Sequence, residues 1–157
     1  MIQPSEAAAR FARLVAALSR RTTGAAWEAR DGLLVLMDAG ETVQLVLELT
    51  DTGAGVMLVA RVMAIPQEDP AGMHALRLLR LNADRDALEG AVIAADPLRR
   101  QFVLIRELDI AQDPEALADV VEATLDLAAA VRAETQVGRP TGAGAAALLM
   151  RTHGSAR

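Results

Sequence analysis

Apolar residues follow two different rhythms along this chain. Phe11, Leu14, Val15 and Leu18 are spaced i, i+3, i+4, i+7, the single stripe of an amphipathic helix. The spacing predicts a helix over Glu6–Arg20 with Ser5 as its N-cap, and Arg10, Arg13, Arg20 and Arg21 make its far side basic. Gly24 closes that segment, and the period then drops to two. Residues 26–30 and 33–37 flank Asp31-Gly32, the dipeptide of a tight hairpin. Asp38-Ala39-Gly40 makes the next turn. Val43, Leu45, Leu47 and Leu49 then alternate with Gln44 and Glu48, as a half-buried strand should. Asp51–Gly55 turns once more into Val56–Ile65. Short connections between consecutive strands predict an antiparallel meander.

Pro66 ends the meander. Asp69-Pro70 supplies an N-cap followed by proline at the first helical position, and predicts a helix to about Asn82 with Met73, Leu76, Leu79 and Arg80 on one side. Ala91–Ala95 and Phe102–Leu108 read as a second hairpin around Pro97–Arg100. Asp113-Pro114 repeats the cap-plus-proline device before a helix over Glu115–Glu134, whose stripe is Leu117, Val120, Val121, Leu125 and Ala128. The predicted order is α-β-β-β(-β)-α-β-β-α, an α+β fold with a twisted antiparallel sheet and three helices. Residues 1–135 form one such domain. Residues 136–157 turn to Gly, Pro, Ala and Thr, with Ala145–Met150 as their apolar run, and read as a flexible tail.

Composition narrows the chemistry. Apolar residues are 52% of the chain, but the only aromatics are Phe11, Trp27 and Phe102, so aliphatic side chains must build the core. Cysteine is absent, which removes disulfides and thiolate metal sites and fits a reducing cytoplasm. Every one of the 16 basic residues is arginine. Residues 1–135 hold all 21 acids against 13 Arg, a net charge of −8, whereas 136–157 hold three Arg and no acid. A body of that sign repels phosphate backbones and argues against nucleic acid as a partner. Met1–Glu6 lacks the basic start of a signal peptide, and no run approaches the roughly 18 apolar residues of a membrane span, so the expectation is a cytoplasmic protein without membrane insertion.

Motifs for catalysis are missing from the pattern. Asn82-Ala83-Asp84-Arg85-Asp86 echoes the opening of a calcium loop, but Ala87 stands at the turn glycine and Ile93 at the bidentate glutamate, so a solvated loop is expected instead. His74 lies inside the middle helix without a HExxH context, and His153 lies in the tail. Ser5, Ser19 and Ser155 are not in Gly-x-Ser-x-Gly turns, and a phosphate loop would need the lysine this chain lacks. No catalytic residue, metal or cofactor is expected. What does depart from the ordinary is the strands. Val56–Ile65 carries Met57, Val59 and Met63 on one face and Val56, Leu58, Val62 and Ala64 on the other, and Phe102 and Leu104 oppose Val103 and Ile105. A sheet solvated on one side should alternate apolar with polar. Two apolar faces call either for helices on both sides or for a face kept for a partner.

The order and these segments resemble the class I chaperones of type III secretion systems, the Tir-chaperone-like family. The resemblance spans about Phe11–Glu134. It is carried by the Leu14/Leu18 stripe, Asp31-Gly32-Leu33-Leu34-Val35-Leu36, Val43–Glu48, Leu78-Leu79-Arg80-Leu81-Asn82, Leu88–Asp96, the strand Gln101–Leu108 and the last helix. Leu-Leu-x-x-Asn before a Gly-Ala strand is its most specific piece. The basic Gly/Pro-rich tail exceeds the family pattern, and Thr22-Thr23 stands where a short apolar loop is usual.

The resemblance implies a homodimer without cofactor or catalysis. Such a dimer holds the unfolded N-terminal region of a secreted effector in an export-competent state and delivers it to the export apparatus, with its ATPase as a further partner. It implies dimer contacts around the middle helix, where Met73, Leu76 and Leu79 form the stripe. It also places effector contacts on the first helix and neighbouring strands, which makes Leu14, Leu18, Trp27, Val35 and Met37 the candidate client site. The competing expectation is a regulator or assembly factor of the same fold that binds a folded protein.

Overall fold

A computed structural model describes residues 4–21, 26–38, 40–67 and 72–136, without the side chains of 4, 5, 26–29 and 136. The Gly24 stop, the Asp69-Pro70 cap and the tail from 137 lie outside the described residues. The elements are α1 (Pro4–Arg21), β1 (Ala26–Arg30), β2 (Leu33–Met37), β3 (Val43–Leu49), β4 (Gly55–Ala64), α2 (Met73–Asn82), β5 (Val92–Asp96), β6 (Gln101–Asp109) and α3 (Pro114–Gln136). The six strands form one antiparallel sheet in the order β1-β2-β3-β4-β6-β5.

Local chemistry sets the turns. Asp31 and Gly32 both have positive φ, 48° and 81°, the two left-handed residues of a type I′ turn, and Arg30 pairs with Leu33 immediately outside it. Between β2 and β3 the Asp38 carboxylate accepts the N–H groups of Gly40 and Thr42, each at 2.9 Å, and the Gln44 amide at 2.7 Å. These donors hold Asp38 below the usual carboxylate range, the Thr42 N–H foremost. Gly53, with φ of 66° in the β3–β4 turn, lies beneath α1. A Cβ there would come within 3.1 Å of the Ala7 Cβ. Asp113 caps α3 by accepting the N–H groups of Glu115 and Ala116, the role its place before Pro114 predicts.

The three helices share one face of the sheet. Phe11, Leu14 and Leu18 of α1 and Leu117, Val121, Ala128 and Val131 of α3 are buried in one core with Leu34, Leu45, Leu47, Val56, Leu58, Ala60, Leu104 and Leu108 of the sheet. At the far end of this layer α1 and α3 are clamped by charge. Arg20 meets Glu115 at 2.5 Å, and Arg21 reaches Glu115 at 2.8 Å and Asp119 at 2.5 Å. Arg20 and Arg21 together hold the Glu115 carboxyl below its ordinary range, Arg20 contributing most. Asp119 and Glu115 in turn raise the affinity of Arg21 for its proton. The clamp is solvent-exposed, so it orients the helices more than it stabilises them.

Candidate functional site

The other face of the sheet has no described helix over it. Pairing across the strands lines up Val35, Val46, Val59, Ile105 and Val92 in one row that crosses β2, β3, β4, β6 and β5. With strands about 4.8 Å apart, the row is about 20 Å long. The first four are half-buried and Val92 is 55% exposed, whereas Leu47 and Leu58 on the helix side are fully covered. A second row beside it reads Leu33, Glu48, Met57 and Glu107. On the other flank Met37 pairs with Val43, and Arg61 pairs with Val103. A shallow groove there is lined by Val43, Val46, Val59, Arg61, Asp96 and Arg99. The Arg99 N–H, the Arg99 guanidinium and the Leu98 N–H all bind the Asp96 carboxylate and lower its pKa, the Arg99 N–H first.

A second apolar surface lies on α2. Met73, Leu76 and Leu79 are 46%, 50% and 61% exposed, while Leu78 turns inward and is buried. The helix packs against β5. Its last residue, Asn82, is turned onto that strand. The side-chain amide donates to the Ile93 carbonyl at 2.9 Å, and its oxygen accepts the Ile93 N–H at 2.8 Å. Ile93 therefore spends its edge-facing backbone groups on Asn82.

The expected site residues separate into three groups. Val35 and Met37 lie half-buried on the outer face. Leu14 and Leu18 are buried in the core and present no surface, because the stripe that gives α1 its amphipathic pattern is the side that packs on the sheet. Trp27 pairs with Leu36 in β1, and its side chain lies outside the described residues. Val46, Val59, Ile105 and Val92 were not singled out from the sequence as client contacts. Val46 carried a signal, since it sits between Gln44 and Glu48 on the side of β3 that reads as polar.

Among the described residues no group of three or more His, Asp or Glu side chains is placed to hold a cation. In the calcium-like run, Asn82 is spent on Ile93 and Asp84 accepts the N–H of Ala87. No helix among the described residues is long and apolar enough to cross a membrane.

A helix-backed antiparallel sheet with an apolar outer face and an apolar surface helix defines a protein-binding module. The chain belongs to the Tir chaperone protein (CesT) family, whose profile matches residues 13–132, and it is a type III secretion chaperone of that non-enzymatic family. Among solved structures it is similar in fold to a chain of the ExsC–ExsE complex, with a TM-score of 0.64 and 16% identity over 85% of this chain and 98% of that one. A chain of the heterodimeric ExoU–SpcU complex from the type III secretion system of Pseudomonas aeruginosa matches with a TM-score of 0.36 and 19% identity, over 68% of this chain and 84% of that one. No curated protein sequence matches significantly.

Proposed function

We propose that the protein acts in the cytoplasm as a homodimer that holds the unfolded N-terminal region of a secreted effector against its outer sheet face, and passes it on to the export apparatus and its ATPase. The observation that carries this reading is the row Val35–Val46–Val59–Ile105–Val92. Five branched aliphatic residues stand side by side on a face that water would otherwise wet. An unfolded client loses conformational entropy when it is held, so its holder needs apolar surface already in place. This face meets that need because the helix layer on the other side fixes the strands. Met57 and Met37 flank the row and adapt their shape to differing side chains. The exposed stripe of α2 supports pairing of two copies, since an isolated helix in water has no reason to carry Met73, Leu76 and Leu79 on its wet side.

The test is charge on the row. Val46→Glu and Val59→Glu place carboxylates on the half-buried outer face, where circular dichroism should remain native. Each variant should fail to co-purify the secreted protein that the parent chain brings down. Folded variants that retain the client at parental strength would move the client site elsewhere.

A further inference from the structure

We propose that Met57 and Met37 are oxidation sites, and that their conversion to sulfoxides by hydrogen peroxide or another hydroperoxide releases the client. The inference rests on the reading of the outer sheet face as the client surface, and adds a chemical switch to that face.

Sulfur chemistry in this chain falls to methionine alone, since cysteine is absent and the six methionines are Met1, Met37, Met57, Met63, Met73 and Met150. Met37 and Met57 lie on the outer face, one on each flank of the valine row, and both are half-buried. Met63, by contrast, packs against the core beyond the register shift in β4. Met57 pairs across the sheet with Glu48 on one side and Glu107 on the other, which sets its Cβ about 5 Å from each of theirs. An ionised carboxylate only accepts hydrogen bonds. Arg61 stands four residues along β4 and Arg30 three strands away, each about 13–14 Å from Met57. The thioether needs no hydrogen bond and suits an apolar client. A sulfoxide oxygen needs a donor, and beside Met57 it finds two acceptors.

The sulfur gives an electron pair to one peroxide oxygen and the O–O bond breaks. The transferred oxygen passes its proton to the departing hydroxide, which leaves as water. Sulfur is oxidised by two electrons, and the peroxide is reduced by the same two. On the uncovered face water hydrates the new oxygen. Under a client that water is expelled, and a buried polar group without a partner weakens binding about tenfold or more. Peroxide therefore loosens the hold on the client, while the core on the helix side keeps the sheet folded. Methionine sulfoxide reductases reverse the step, which makes it a switch.

The experiment treats the full chain with graded hydrogen peroxide and reads each methionine by peptide mass. Met57 and Met37 should gain an oxygen at doses that leave Met63 a thioether and circular dichroism native. Capture of the secreted protein that the parent chain brings down should fall about tenfold or more over the same doses, and return after treatment with methionine sulfoxide reductase. Met37→Leu with Met57→Leu is compared only with itself, before and after peroxide, and its capture should not change. That variant keeps Met1, Met63, Met73 and Met150, so an equal loss there would assign the effect to those residues and overturn the proposal. Full oxidation of Met57 with unchanged capture by the parent would overturn it as well, whatever the variant does. So would oxidation of Met57 only together with Met63 as the fold opens. Val46→Glu and Val59→Glu separate this failure from that of the client reading. Should they lose the client while the oxidised parent keeps it, the switch alone falls. Should they keep it, the client reading falls and takes the switch with it.

Discussion

Arg132 of α3 donates through its Nε to the carbonyl of Val62 in β4, and its Nη2 reaches the carbonyl of Arg61 at 3.2 Å. The pairing register of β4 with β6 shifts between Arg61 and Met63, so Val62 is the extra residue of a bulge. A bulge takes carbonyls out of the ladder, and the planar fork of arginine satisfies two of them at once. Arg132→Met keeps the stem but removes both of these hydrogen bonds. It should destabilise the protein by about 2–3 kcal/mol, read as a shifted urea midpoint. Arg132→Lys should recover less than half of the loss, since an ammonium group lacks the fork.

Asn82 plugs the edge of β5 through Ile93. Asn82→Asp retains the acceptor for the Ile93 N–H but sets a carboxylate against the Ile93 carbonyl. The expected cost is about 2 kcal/mol. The freed Ile93 carbonyl on that edge should also promote association beyond the parental size, visible in light scattering at micromolar protein. A variant with parental stability and size would show that the plug is dispensable.

The α2 stripe yields a test of assembly. Light scattering should give twice the 16.6 kDa chain mass. Leu76→Asp should yield a folded monomer, because Leu76 is already half exposed and its replacement buries no charge. The contrasting change is Leu14→Ala in the core, which should cost about 2–5 kcal/mol without selectively splitting the dimer. Monomeric parental protein across the micromolar range would end the proposal of a dimer.

Acid should loosen the fold through Asp38, Asp96 and Glu115. Each carboxyl is held below its ordinary pKa by donors present only in the folded chain. The folded state binds protons less readily than the unfolded one, so the stability from these groups is complete above the unfolded pKa and is lost as pH falls through the folded values, below about pH 4. Thermal midpoints measured from neutral pH downward should fall there. Asp38→Asn and Asp96→Asn should each flatten the fall, and an unchanged profile in both would remove these two groups as its source.

The sequence carried the elements but not their sides. Asp31-Gly32, Asp113-Pro114 and the two periods were enough to set the order of strands and helices, because each depends on chemistry within a few residues. Periodicity also found the stripes of α1 and α2, and there its information stopped. Leu14 and Leu18 face the core while Leu76 and Leu79 face water, yet both pairs obey the same spacing. Only the packing of α2 through Leu78 against the sheet layer distinguishes them. The valine row was likewise invisible as a row, since it is assembled from five strands by register. Asn82 stood inside the most specific segment of the family resemblance, but its partner Ile93 lies across a turn that no local rule describes.

Arg20 and Arg21 meet Glu115 across 95 and 94 residues of chain. That distance has a meaning in time as well as space. Ribosomes add residues from one end, so the strands through Asp109 emerge before α3, the helix that packs on β4 and β6. At about 5–20 residues per second the interval from Asp109 to Gln136 lasts roughly one to five seconds. During it the nascent sheet has only α1 and α2 to cover its inner face.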